Sequence, residues 1–548
     1  MHLAPGMSKH SGHALALVLL ALLGLPLLLA AWAAALAGAD LEAWRGLLAQ
    51  PQTLGALAMT LWTGLAAALA SWLLCAWLLS RYFPGPGWAA LVRSLGPLLA
   101  VPHAAFAIGL VLLIAPSGWL LRALSPWATG FSLPPPWSTS QDPWGLGLIA
   151  VLVAKELPFL LWAAASQLQR ADVAQRWSRE LLLARSMGYS RGRAWWRVLW
   201  PQLAPRLRWP MLAVLAYSLT VVDVALVIGP SSPPTLAVLA WQWLLDADLE
   251  RNAQGAAAAW LLALTLGVLT LLLWLGQRGA AGRARWSDGR RGRAGRSTVS
   301  PRPTGLALLL GLYLAVMLAL ALGSVAGVWT FPALLPQSLT LEAWRTVAGS
   351  LPTLGTTLSL ALASAAVALL WSVLWLESAP AEWDRVLRQW VYLPLALPAV
   401  LWVIGVHGLT LRWGIDATWP GLWLAHSLAC VPYVLIALSP AYLGFDPRLR
   451  HVAQSLGHGR VVFLWRIKWP LLRAALASGF AVGFAVSVAQ YLPTVFIGAG
   501  RYSTVTTEAV ALASGAQRSL GAAHAWLLWL LPALVFGAAT ALGRPRRF

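Results

Sequence analysis

The stretch LEAWRGLLAQPQTLGALAMTLWTGLAAALASWLLCAWLLS (41–80) opens with a phrase that returns 300 residues later as LEAWRTVAGSLPTLG (341–355). Both copies run from Thr-Leu-Gly into more than 20 uncharged, mostly apolar residues. A run of that length, coiled as an α-helix, matches the roughly 30 Å hydrocarbon layer of a bilayer. The chain is therefore read as a duplicated membrane protein. Composition agrees: 59% hydrophobic residues, 10% charged residues and a mean hydropathy of +0.70 exceed what a soluble core needs.

Outward from these two copies, similar runs recur near 14–36, 54–80, 95–115, 144–166, 208–229, 256–276, 305–328, 355–376, 390–410, 419–440, 474–497 and 522–543. Lipid offers no partner to backbone N–H and C=O groups, so unbroken apolar runs of this length mean helices, whereas a barrel shows short alternating strands. The predicted fold class is all-α and integral to the membrane, with about twelve transmembrane helices in two six-helix repeats. The first run reaches residue 36 without a cleavage pattern and is read as a retained helix. VPHAAFAIG (101–109) parallels LPAVLWVIG (397–405), which keeps the order of the repeat. Six spans per half give both halves the same orientation, with a cavity between them expected.

The net charge of +21 is an orientation signal. With the N-terminus inside, 31 of the 39 Lys and Arg fall on one side, so the positive-inside rule places both termini in the cytoplasm and accounts for the basic surplus without a nucleic-acid partner. The basic, Gly- and Ser-rich segment 277–304 reads as a cytoplasmic linker. Cys75 and Cys430 lie far apart in apolar spans and suggest neither a disulfide framework nor a metal site.

Two Arg-rich loops lie between the fourth and fifth spans of their halves. LLLARSMG (181–188) and HVAQSLG (451–457) each lead, at Gly-x₁₂-Pro spacing, from Gly188 to Pro201 and from Gly457 to Pro470, ending in RVLWP and RIKWP. Apolar positions alternate with Arg as in short amphipathic helices, Gly stops the first helix, and the whole reads as a knob for a partner.

These loops resemble the EAA loop of binding-protein-dependent ABC importer permeases, whose pattern is EAA, three residues, Gly, nine residues and I-x-LP. Ala184, Gly188, Val198 and Pro201 fit one copy; Ala453, Gly457, Ile467 and Pro470 fit the other. The motif's Glu is replaced by Leu182 and His451, and its Leu by Trp200 and Trp469. The chain is most similar to fused double permeases such as the ferric-iron and thiamine importers. The resemblance implies MetI-like permease domains at 54–276 and 354–543. Segments 1–53 and 305–353 would be accessory helices with periplasmic loops. It further implies a bacterial inner-membrane location, a homodimeric cytoplasmic ATP-binding subunit and a periplasmic substrate-binding protein as partners.

ATP hydrolysis is expected on another chain. A P-loop requires G-x-x-x-x-G-K-[ST], and the three lysines Lys9, Lys155 and Lys468 follow Ser, Ala and Ile. No catalytic residue, cofactor or metal is assigned; His103, His407 and His426 lack metal-ligand spacing and read as packed histidines. Charges in lipid are costly, so Lys155, Glu156 and Asp223, with Gln490 in the second half, are candidates for the translocation path. The same charges fit helix-to-helix pairing. An ion- or proton-coupled secondary transporter is the alternative function, and a membrane scaffold or lipid-handling enzyme a third reading. Cavity residues do not choose between ferric iron, thiamine and another solute.

Overall fold

The repeated phrase becomes the same structure twice. In the computed structural model, which describes residues 9–85, 87–169, 171–283, 304–391, 397–513, 515 and 517–544, each LEAWR forms a short amphipathic helix. A proline then starts the long helix that follows, at a position where its missing N–H costs nothing. The first half contains α1 (Lys9–Ala37), α2 (Leu41–Ala49), α3 (Pro51–Tyr82), α4 (Trp88–Ala100), α5 (His103–Ile114) and α6 (Trp119–Leu124). It continues with α7 (Leu146–Leu168), α8 (Ala171–Ser186), α9 (Arg191–Ala194), α10 (Trp200–Leu203), α11 (Arg208–Thr220), α12 (Asp223–Ile228), α13 (Leu236–Leu244) and α14 (Leu249–Arg283).

The second half contains α15 (Thr304–Val325), α16 (Glu342–Gly349), α17 (Leu351–Ser378), α18 (Ala381–Val391), α19 (Ala399–Arg412) and α20 (Trp419–Leu443). Then come α21 (Arg448–Ser455), α22 (Arg460–Phe463), α23 (Trp469–Leu471), α24 (Arg473–Val488), α25 (Leu492–Gly498), α26 (Val505–Ala513) and α27 (Arg518–Gly543). The fold is all-α, and among the described residues extended pairing is limited to one isolated bridge, Ala326 to Leu339. Nine helical stretches among the described residues are long and apolar enough to cross a membrane.

Three expected spans are interrupted. The run 95–115 breaks at Val101-Pro102, because proline forces the residue before it out of the helical region and removes a donor. The runs 208–229 and 474–497 divide between α11 and α12 and between α24 and α25. Within 390–410, α19 starts at Ala399, and residues 392–396 lie outside the described residues. Helix α14 continues through Arg283, so only 284–303 of the basic segment lie outside them.

The described chain forms two compact units, residues 41–340 and residues 1–40 with 341–548. The first helix of each half therefore belongs to the unit built on the other half. The glycines matched by the repeat explain the seats. A Cβ on Gly109 of α5 would stand within 3 Å of Val316 and Leu320 of α15. One on Gly405 of α19 would stand 2.3 Å from the Ala30 carbonyl oxygen of α1. Only glycine lets the helices approach this closely, as small residues do at membrane helix contacts generally. Helices α2 and α16 lie on the last spans of their own halves, α14 and α27, with Ala343 and Val347 packed on Ala523.

Candidate functional site: paired loops and broken spans

Both Arg-rich loops carry the same turn. At the end of α8, Gly188 takes φ +90°, its N–H reaches the Arg185 carbonyl, and the Tyr189 N–H reaches that of Ala184. At the end of α21, Gly457 takes φ +78°, with the same two bonds from Gly457 to Gln454 and from His458 to Ala453. This is a Schellman stop, whose left-handed residue favours glycine. The buried Ala184 and Ala453 therefore supply matched carbonyls of the two turns. Leu183 and Met187 on one loop, and Val452 and Leu456 at the matching positions, remain exposed.

Beyond each turn the chain re-enters a helix and then widens. Trp195–Leu199 and Leu464–Lys468 are π-helices of five residues, each closing just before a Trp-Pro pair. Proline in a helix interior lacks a donor and clashes with the carbonyl four residues back, and a π-turn relieves both. Pro201 and Pro470 therefore place the widened turn at the same register, with Val198 and Ile467 inside it and both half-buried. In the second loop the arm Arg460–Leu471 then meets Arg473–Val488 at 75°.

Anchoring residues that the motif does not contain hold the loops. Arg191 and Arg460 are equivalent in the repeat, and each donates to backbone carbonyls at the end of a long span. Arg191 reaches Arg81 and Pro84 at 3.1 and 3.2 Å, and Arg460 reaches Glu377 at 2.9 Å. The 269-residue offset that aligns the glycines also aligns these arginines, which is the signal that marks them. Trp200 packs on Trp72 of α3 and on Trp195. Glu180 of α8 accepts from Gln202 at 2.7 Å and from Arg176 at 2.8 Å. The Gln202 bond first, then Arg176, holds this carboxyl below its usual range. The loop thus carries an acid two residues before Leu182, tied to the residue that follows Pro201.

The intramembrane charges meet the helix breaks. Buried Lys155 of α7 donates to the carbonyls of Leu98 and Val101 at 3.0 and 2.5 Å, at the C-terminal end of α4, and stands over the Tyr313 ring. Its geometry is that of a helix cap, a cation at the negative end of a helix. Glu156 pairs with His103, the first residue of α5, at 3.2 Å, and the His103 ring packs on Tyr217 of α11. Asp223 stands in the first turn of α12, where free backbone N–H groups favour a carboxylate.

The second half is neutral at the matching break. There Gln490 lies in the gap between α24 and α25, and its carbonyl accepts from Thr494. The fully buried His426 is bonded through both ring nitrogens, to Ser487 at 2.9 Å and Thr494 at 3.1 Å. His407 lies 3.4 Å from Asp416. Among the described residues no group of three His, Cys, Asp or Glu has the geometry to hold a metal ion.

The comparisons with known proteins fit this arrangement. The chain is 38% identical over 509 residues to the inner membrane ABC transporter permease protein YnjC of Escherichia coli (strain K12), covering 92% of this chain and 90% of that protein. It is 27% identical over 201 residues to a probable molybdenum ABC transporter permease protein of Haloferax volcanii, covering 35% of this chain and 73% of that one. It is 28% identical over 112 residues to the spermidine/putrescine transport system permease protein PotC of Haemophilus influenzae, covering 20% and 44%. No protein-family model matches the chain. The likeness selects the ATP-driven class over the secondary-transporter and scaffold readings that the sequence alone leaves open. A multi-pass, all-α inner-membrane chain with full-length similarity to such a permease belongs to the ABC transporter permease family, as a permease component of an importer.

Proposed function

We propose that the two Gly…Pro loops are cytoplasmic docking elements for a pair of identical ATP-binding subunits, and that both termini lie on that side. Ala184, Gly188, Val198, Pro201, Ala453, Gly457, Ile467 and Pro470 set the shape of the loops. The exposed Leu183, Met187, Val452 and Leu456 supply an apolar face for a groove on each subunit. ATP hydrolysis belongs to those subunits, and a periplasmic binding protein delivers the solute.

Nucleotide-driven closure of the ATP-binding pair biases the chain between two packed states, which is alternating access as a population shift. The loops lead directly into the broken spans α11–α12 and α24–α25. Irregular backbone at membrane depth is tolerated where it is covered by protein or lines a watery path, which supports Asp223, with Glu156 beside it in the first unit, and Gln490 in the second as candidates for contact with solute. Lys155 supports that path by capping α4.

The observation that carries this reading is the doubled Schellman turn followed at equal spacing by a doubled π-helix. Solvated basic loops have no reason to repeat either. The test is ATP hydrolysis by the chain reconstituted with its ATP-binding subunit and solute-loaded binding protein. Stimulation by the binding protein is expected in the native complex and is expected to vanish when Gly188 and Gly457 are both replaced by Val. Full stimulation in that variant would remove the docking assignment.

A further inference from the structure

The second loop, which has His451 where the motif has Glu, is tied further along to a carboxylate on a long span. Glu377 lies one residue from the end of α17, and its carboxylate collects three donors. Lys468 of the π-helix approaches at 2.7 Å, Tyr442 of α20 at 2.9 Å and Arg460 of α22 at 3.2 Å. Lys468 also stands 4.0 Å over the Tyr442 ring, and the Tyr442 oxygen accepts from the Trp469 indole at 3.3 Å. Beneath this hub, Val373 of α17, Leu438 and Tyr442 of α20 and Leu472 form one buried apolar cluster.

The first loop is built differently. Arg191 matches Arg460, but Leu199 stands where the second loop has Lys468, and the partners of Arg191 are backbone oxygens. There the Trp200 ring packs on Trp72. In the second loop an arginine ahead of the π-helix and the lysine that ends it share one glutamate side chain of a long span, whereas Arg191 of the first loop reaches its span through backbone carbonyls. Hydrogen bonds with an ionised partner are the stronger class, and here both donor and acceptor are charged.

We propose that Glu377 is the positioning residue that makes the second loop, α17 and α20 move as one body, so that ATP-binding subunits pulling on this loop pull on both helices. The proposal rests on the docking reading above. It gives the second loop an ion-paired joint to its span, where Arg191 of the first loop meets backbone carbonyls and Trp200 packs on Trp72.

The test places spin labels at Leu370→Cys on α17 and Leu456→Cys at the loop tip, both exposed positions, while Cys75 and Cys430 are buried and unlabelled. Distances are read by pulsed electron resonance in the complex with its ATP-binding subunit, before and after trapping with ATP and vanadate. In the native background the distance should be the same in both states, because loop and helix travel together. In Glu377→Gln it should shift on trapping, and Glu377→Asp should restore the native pattern. Lys468→Met, which removes one arm and leaves the carboxylate, should shift it in the same direction and serves if Glu377→Gln does not fold. A native pattern in Glu377→Gln, or in Lys468→Met where that variant stands in, overturns the proposal. Retention of the ATP-binding subunit is measured on the same samples. Its absence from the native complex would instead remove the docking reading.

Discussion

Replacing Gly457 isolates the backbone of a loop from its contacts. Its φ is +78°, and a Cβ built there meets nothing within 4 Å, so only the conformation resists a side chain. An L-residue in the left-handed region costs about 1–2 kcal/mol, and a β-branched one is least tolerated. Taking about 2 kcal/mol for Gly457→Val, the equilibrium constant for forming the Schellman turn falls roughly 30-fold. If docking requires the turn, affinity for the ATP-binding subunit falls by up to that factor. Gly457→Asn, whose side chain suits the left-handed region, should lose much less. Gly459→Ser, at φ −69° and matching Ser190 of the first loop, should lose nothing. The assay is titration of the nanodisc-embedded chain with purified ATP-binding subunit, where the affected loop appears as a separate, weaker step. Equal affinity for the Val, Asn and native chains would refute the claim that turn shape governs docking.

Three further outcomes follow from particular contacts. Because the Glu180 carboxyl is held below the ordinary value of 4.5, its contribution to loop stability is present above that value and is lost as pH falls through the depressed one. Hydrogen exchange in 176–202, corrected for the intrinsic pH effect, should therefore rise in that acid window and lose its step in Glu180→Gln. Lys155→Met removes a charged donor from two carbonyls and should cost about 3 kcal/mol, read as a lower melting temperature, whereas Asp223→Asn should barely move it. An unchanged melting temperature for Lys155→Met would show that it is not a cap. Gly405→Val drives a side chain into the Ala30 carbonyl and should cost about 1–3 kcal/mol of α1 seating. A disulfide between Ala33→Cys and Gly408→Cys should then form in the native background and fail in the Val variant.

Much of this was legible because single residues act locally. Gly188 and Gly457 announce a helix stop, since glycine is the residue that enters a left-handed turn freely, whereas the run 95–115 reads as one span straight across Pro102. The repeat made the loops equivalent before any contact was known. What was not legible depends on distance along the chain. Glu377 meets residues 83 and 91 positions away, and no pattern within either segment names the other. The break before Asp223 has no Gly or Pro, and Thr-Val-Val-Asp reads as continuous apolar helix. The π-helices answer to Trp-Pro, yet proline alone permits a kink as well as a widened turn. Helix-end geometry also explains how charges are held inside apolar runs. Lys155 sits at the carbonyl end of α4 and Asp223 at the amide end of α12, so the breaks that hide from the sequence are what accommodate its charges.

Docking of the ATP-binding subunits on these two loops is open to a direct test. A photo-crosslinking residue placed in turn at Met187, at Leu456 and at exposed Leu308 of α15 addresses it directly in the assembled complex. An adduct with the ATP-binding subunit is expected from both loop positions and none from Leu308. Adducts from neither loop position in a complex that hydrolyses ATP would contradict it.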